Sequence, residues 1–232
     1  MITPRFLATQ VRNLLSLLLE AEIAVVINPV VEQHLGSSRR VTWQSPLVAA
    51  TSLQGFSFAT VGEYSHFIGS QMYSAVLFDG ALLQISYDFV GRDIVGHRLC
   101  YYPCPFDVDE NLLREEPLAD VIDVYKQSYT SDANLRSPCR FDFDEQSTAP
   151  MHPTVHLHII RPHCRWAVTT PLSIGDFIDF IFRHFYPQIW TVHPFLKSWP
   201  KERIGRRTIS KTEEIDMHIS CGQKLIPTLH KA

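Results

Sequence analysis

The dipeptide Asp79-Gly80 stands between two stretches of β-forming residues, "YSAVLF" and "ALLQISYDF". Asp-Gly tolerates the left-handed backbone that a tight hairpin needs, so it predicts a two-residue turn and therefore two antiparallel neighbours. In the second stretch Ala81, Leu83, Ile85, Tyr87 and Phe89 point one way, and Leu82, Gln84, Ser86 and Asp88 the other. That alternation predicts a sheet with one buried and one wetter face. "HRLCYY" (97–102) supplies a third strand and completes a meander.

Around this meander the periodicity turns helical in three places. Thr3 and Pro4 cap and open a first helix whose stripe is Val11, Leu14, Leu15, Leu18 and Leu19. Residues 108–127 read as helix interrupted at Pro117. "SIGDFIDFIFRHFY" reads as a helix with a Ser173–Asp176 capping box, an Asp179–Arg183 pair and a stop at Pro187. Gly36 to Arg40 read as a loop, and residues 200–232 as a polar tail. The fold class expected is α+β: an antiparallel sheet, made of the meander and a second hairpin, packed against helices in a single domain over 1–232.

Composition narrows the class of function. With 45% hydrophobic and 19% charged residues and a formal charge of −3, the chain is globular and does not advertise a nucleic-acid binder. Five cysteines and an opening, "MITPRFLATQ", without the layout of a secretory leader lead us to expect a cytoplasmic protein with reduced thiols and no membrane span. Cys100, Cys104 and His97 lack a fourth partner at matching distance, so buried inert thiols are expected there rather than zinc.

The second hairpin carries the chemistry. In "CRFDFDE" Phe141 and Phe143 share one side, and Arg140, Asp142 and Asp144 the other. In "TVHLHII" Val155, Leu157 and Ile159 share one side, and Thr154, His156 and His158 the other. A register that buries both apolar sets gathers the imidazoles, carboxylates and arginine on the opposite face. His156, His158 and Asp142 would then suit a divalent metal, and the same histidines with Asp142 or Asp144 would suit metal-free acid–base catalysis. Arg140, Arg165, His152 and Arg161 are the candidates for holding an anion. The same pattern also describes an ordinary sheet face with cross-strand pairs. The basic stretch "KERIGRRTISK" (201–211) offers a separate RNA-binding reading.

The segment from Cys139 to Tyr186 resembles a prokaryotic family catalogued as domain of unknown function 2290. The resemblance rests on Asp142, Asp144, His152-Pro153, His156-Leu157-His158, Arg165 and Pro171-Leu172. It continues through Phe177, Ile178, Phe180, Ile181, Arg183, Phe185 and Tyr186, whereas Ile160 and Arg161 fill a region where that pattern has a glycine turn. "TVHLHII" also resembles the histidine-triad signature of nucleotide hydrolases, but Thr154 stands where its first histidine would be. The first resemblance implies no established activity and an accessory or antiviral-defence setting. The expectation is therefore a protein whose His/Asp face binds or hydrolyses a phosphate-containing ligand, a nucleotide or RNA. The alternative is a non-catalytic module docking a partner protein encoded in the same locus, with Trp43, Trp190, Trp199 and the segment "HFYPQIW" as anchors.

Overall fold

Alternating apolar residues can pair only with strands that alternate in phase, and the described residues resolve this constraint in one nine-stranded sheet in which every pairing is antiparallel. The computed structural model describes residues 2–44, 60–128, 136–146, 152–159 and 164–209. The strands are β1 (Ala24–Ile27), β2 (Val30–Leu35), β3 (Ser38–Trp43), β4 (Ala75–Leu77), β5 (Leu82–Val90) and β6 (Asp93–Tyr102), then β7 (Cys139–Asp144), β8 (Val155–Ile159) and β9 (Arg165–Ala167). Their spatial order is β1-β4-β5-β6-β7-β8-β9, and β3, carrying β2, also pairs with the far end of β5. The α+β reading, with a meander and a second hairpin, is borne out.

Two local expectations change. Leu77 donates to the Ala81 carbonyl and Gly80 to the Leu77 carbonyl, so the β4–β5 connection spans Phe78, Asp79 and Gly80 rather than two residues. Gly80 carries the left-handed φ of 81°, and Asp79 Oδ1 caps the Ala81 N–H at 3.1 Å. The stretch Gly36 to Arg40 is not a loop. Gly36 (φ 63°) and Ser37 turn β2 into β3, and Arg40 forms an ion pair across to Asp88 on β5, Nε to Oδ1 at 2.6 Å. The polar run hid a hairpin because its charged side chains pair between strands.

Helices cover both faces. On one, α1 (Pro4–Glu20) and α5 (Ile174–Phe185) pack Leu7, Val11, Leu14, Phe177, Ile178 and Phe182 against Leu83, Tyr87, Phe141 and Leu157. On the other, α2 (Val61–Gly69), α3 (Glu110–Glu115) and α4 (Leu118–Ser128) enclose a second apolar cluster with Val76, Leu82, Cys100 and Tyr102. The second β5 face is wetter only at its end: Leu82, Gln84 and Ser86 are buried, Asp88 is half-buried, and Gln84 Nε2 donates to the Met72 carbonyl at 2.6 Å. The helix breaks at Pro117 and Pro187 as expected, although α6 (Pro187–Val192) and α7 (Pro194–Ser198) follow at once. Residues 200–209 lie against the body, with Ile204 and Ile209 buried, and the rest of the expected tail lies outside the described residues.

The start of α5 is held from the sheet. His97 Nε2 accepts from Leu172 N at 3.0 Å, and Tyr87 Oη donates to the Leu172 carbonyl at 3.0 Å. The capping box closes as expected, with Asp176 N donating to Ser173 Oγ at 3.1 Å and Ser173 N to Asp176 Oδ2 at 3.2 Å. Buried Asp179 then gathers Arg183, Trp190 Nε1 and Lys201, which ties α5 to α6 and to the segment beyond α7.

Gly175 lets this junction close, because a Cβ there would overlap the Pro200 carbonyl. Gly175→Ala should lower the unfolding free energy by about 1–3 kcal/mol, read from the urea midpoint. An unchanged midpoint would show that the chain near Pro200 does not make this approach.

Candidate functional site

Strand pairing decides which polar side chains meet. Arg98 on β6, Asp142 on β7 and His156 on β8 stand directly opposite one another, and Cys100, Arg140, His158 and Arg165 form the next row. Opposed residues point to the same face. Because Phe141, Phe143, Val155 and Leu157 take the α1/α5 core, the polar set shares the other face. The register anticipated for β7 and β8 is the one found.

The side chains converge. Nε2 of His156 lies 2.8 Å from Nε2 of His158, which lies 3.2 Å from Asp142 Oδ2. One ligating atom from each of these three residues falls within 4.8 Å of the others. Both histidines are only 2% exposed, so the cluster is enclosed rather than spread over open surface.

Each member is oriented by something behind it. His156 Nδ1 donates to the Pro153 carbonyl at 2.6 Å, which puts its proton on Nδ1 and turns the Nε2 lone pair toward the cluster. The His152 ring packs edge-on against His156 at 4.6 Å. Asp142 receives Arg140 Nε on Oδ2 at 3.0 Å and Arg98 Nε on Oδ1 at 3.3 Å.

These contacts set the charge states. Burial pushes the Asp142 carboxyl up, but the hydrogen bond from His158 and the Arg140 and Arg98 guanidiniums outweigh it and hold it well below the usual carboxylate range. Burial, followed by the neighbouring His158, brings His156 down to about 4 against the pull of Asp142 and the Pro153 carbonyl. Burial also lowers His158, which Asp142 pulls up and Arg140 pushes down. Near neutral pH the site thus presents one carboxylate and two neutral imidazoles. His156 already turns a lone pair inward, whereas His158 gives its Nε2 proton to Asp142 and must shift that proton to Nδ1 before Nε2 can ligate a metal.

Not every sequence candidate joins them. Asp144 is exposed and its Oδ1 accepts from Gln146 N at 2.9 Å, a turn contact outside the cluster. Arg165 reaches the row beside His158, with its Nε buried and without a hydrogen-bond partner. Arg161 lies outside the described residues. Arg98 was missed. The alternation of "HRLCYY" places it opposite His97, but only the β6–β7 register brings it to Asp142.

The remaining motifs resolve structurally. His97 points into the α1/α5 core while Cys100 and Cys104 belong to the opposite cluster, so the three cannot share a metal. Trp43 is buried, and Trp190 donates to Asp179 beneath Arg183 and Lys197, 4.9 and 4.8 Å from its ring centre. Trp199 is half-buried against the α1/α5 core. Phe185, in the "HFYPQIW" segment with Trp190, is exposed. In the basic stretch, Lys201 is engaged by Asp179 and Arg203 by the Gly205 carbonyl, Arg206 and Arg207 are exposed, and residues 210 and 211 lie outside the described residues. Among the described residues no helix is long and apolar enough to cross a membrane.

A family model described as uncharacterized conserved protein (DUF2290) matches residues 24–221, a span that contains the whole sheet and the converging cluster. No curated protein and no solved structure matches the chain.

Buried imidazoles make stability depend on pH. Burial lowers His97 to about 4, as it does His156, against roughly 6.5 in the unfolded chain. The unfolded state therefore binds more protons between those values, so the contribution is fully present above about 6.5 and is lost as pH falls toward 4. Each group accounts for on the order of 3 kcal/mol. Asp142 acts lower: its depressed carboxyl stabilises above roughly 3.9 and that contribution goes below it. Urea unfolding at pH 7, 5.5 and 4 should show a progressive loss of several kcal/mol, and a flat profile would contradict the burial of these rings.

Proposed function

The chain belongs to the uncharacterized conserved protein family that matches residues 24–221, and from the site it carries we propose that His156, His158 and Asp142 hold a divalent metal. With the neighbouring arginines, that ion would bind and hydrolyse a phosphate-containing ligand, a nucleotide or RNA. The observation that supports this reading is the convergence of two neutral imidazole nitrogens and one carboxylate oxygen in an enclosed space. Ligands of one ion at roughly 2.0–2.1 Å lie roughly 3.0–3.4 Å apart. The 2.8 Å and 3.2 Å separations need only small adjustment to reach that spacing.

Two histidines and one carboxylate leave coordination positions open for water and substrate. A metal held there would supply Lewis-acid activation of water and substrate at neutral pH. The Nδ1–H bond to the Pro153 carbonyl is the backing that metal-ligating histidines commonly have. Arg140 and Arg165 stand in the same cross-strand row as His158 and would hold the anion. Metal-free acid–base catalysis is less well supported, because a group at about 4 is far from the neutral operating pH. An accessory or defence-type setting belongs to this proposal through the family resemblance alone.

Metal content tests the reading. Purified protein reconstituted with manganese or zinc should carry about one ion per chain. His156→Ala with His158→Ala should lose both the ion and hydrolysis of a model phosphoester while keeping its circular dichroism. Asp144→Asn, altered outside the cluster, should keep the ion. Wild-type protein that takes up no metal either with or without phosphate, or a double variant that still does, would remove the proposal.

A further inference from the structure

Asp142 serves more positive partners than one carboxylate can keep once a metal arrives. Its Oδ2, which faces His158 Nε2 at 3.2 Å, also takes Arg140 Nε at 3.0 Å and Nη2 at 2.9 Å. Its Oδ1 takes Arg98 Nε at 3.3 Å. An ion held by His156 and His158 must draw on the carboxylate that Arg140 already grips, and it brings two more positive charges beside two guanidiniums. Partial burial strengthens that repulsion, because the Asp142, Arg140 and Arg98 side chains are only 14%, 22% and 27% exposed. Metal binding alone is therefore opposed by the site's own arginines.

A phosphoryl anion removes the opposition. It offers Arg140 a bidentate partner in place of Asp142, leaves the carboxylate to the ion, and neutralises the excess charge. Resting on the metal reading above, we propose that the site takes its metal and its phosphoryl ligand as a coupled pair, with Arg140 passing from Asp142 to the anion as the ion takes the carboxylate. The charge balance also selects the ligand. Two charges from the ion and three from Arg98, Arg140 and Arg165 face one from Asp142. That excess favours the doubly charged terminal phosphate of a nucleotide or nucleic-acid end over the singly charged internal phosphodiester.

Calorimetric titration of metal-free, full-length protein with Mn²⁺ tests this at fixed ionic strength in chloride, inorganic phosphate and dimethyl phosphate. Phosphate should tighten Mn²⁺ binding about tenfold or more, and dimethyl phosphate much less. Mn²⁺ should tighten phosphate binding by the same factor, as linkage requires. Arg140→Gln should tighten Mn²⁺ binding in chloride and cancel the phosphate effect. The double variant His156→Ala, His158→Ala provides the blank for manganese–phosphate association in solution. Equal Mn²⁺ affinity in chloride and phosphate, or equal tightening by both anions, overturns this inference while leaving the metal site standing. Weaker Mn²⁺ binding in folded Arg140→Gln does the same, and if that variant does not fold the wild-type comparison decides alone. No Mn²⁺ binding in any buffer overturns both readings.

Discussion

The pairing of Phe141 with Leu157 is the constraint from which the rest follows. These residues are buried against α5, with Phe141 edge-on to Phe177 and Phe180. A one-residue slip of β7 against its neighbours would turn Phe141 toward the opposite face and drive Asp142 into an apolar core. Burial of an unpaired carboxylate is costly enough to exclude that register. The hydrophobic side thus chooses the alignment, and the polar cluster is assembled as its consequence.

On the polar side, one carboxylate organises the charges. Asp142 holds Arg98 from β6, Arg140 from its own strand and His158 from β8, so three strands are cross-linked through a single side chain. Removing it would leave two guanidiniums facing two imidazoles with no compensating charge, a larger loss than any one of these hydrogen bonds. Asp179 plays the corresponding part outside the sheet, gathering Arg183, Trp190 and Lys201. The contrast between the two is in their surroundings. Asp179 meets two long cations and an indole, whereas Asp142 meets two guanidiniums and an imidazole.

His97 shows how the same residue type serves the fold. On the α1/α5 face it bridges the Phe141 carbonyl and Leu172 N, and it packs against Tyr87 and Phe143. Burial holds it neutral, and neutrality is what leaves one ring nitrogen as the acceptor for Leu172 N. Opposite strand parity separates it from His156 and His158, although all three are buried histidines on paired or neighbouring strands.

Strand phase, helix caps and the identity of the His/Asp face were legible in the residues themselves, because period-two alternation and capping are local physics. Asp142, His156 and His158 could be placed on one side by parity alone, once an antiparallel hairpin was assumed. The polar hairpin of β2 and β3 was not legible, since its charges are matched across strands rather than along them. Nor was the burial of Gln84 and Ser86, which depends on helices brought over that face from elsewhere in the chain. Arg98 joined the site, and Asp144 fell outside it, only through the β6–β7 register and the turn after β7. The sequence by itself determined which side chains share a face, because alternation acts between adjacent residues. The tertiary structure decided which of them touch, because contact depends on alignments between segments about forty residues apart that no local preference encodes.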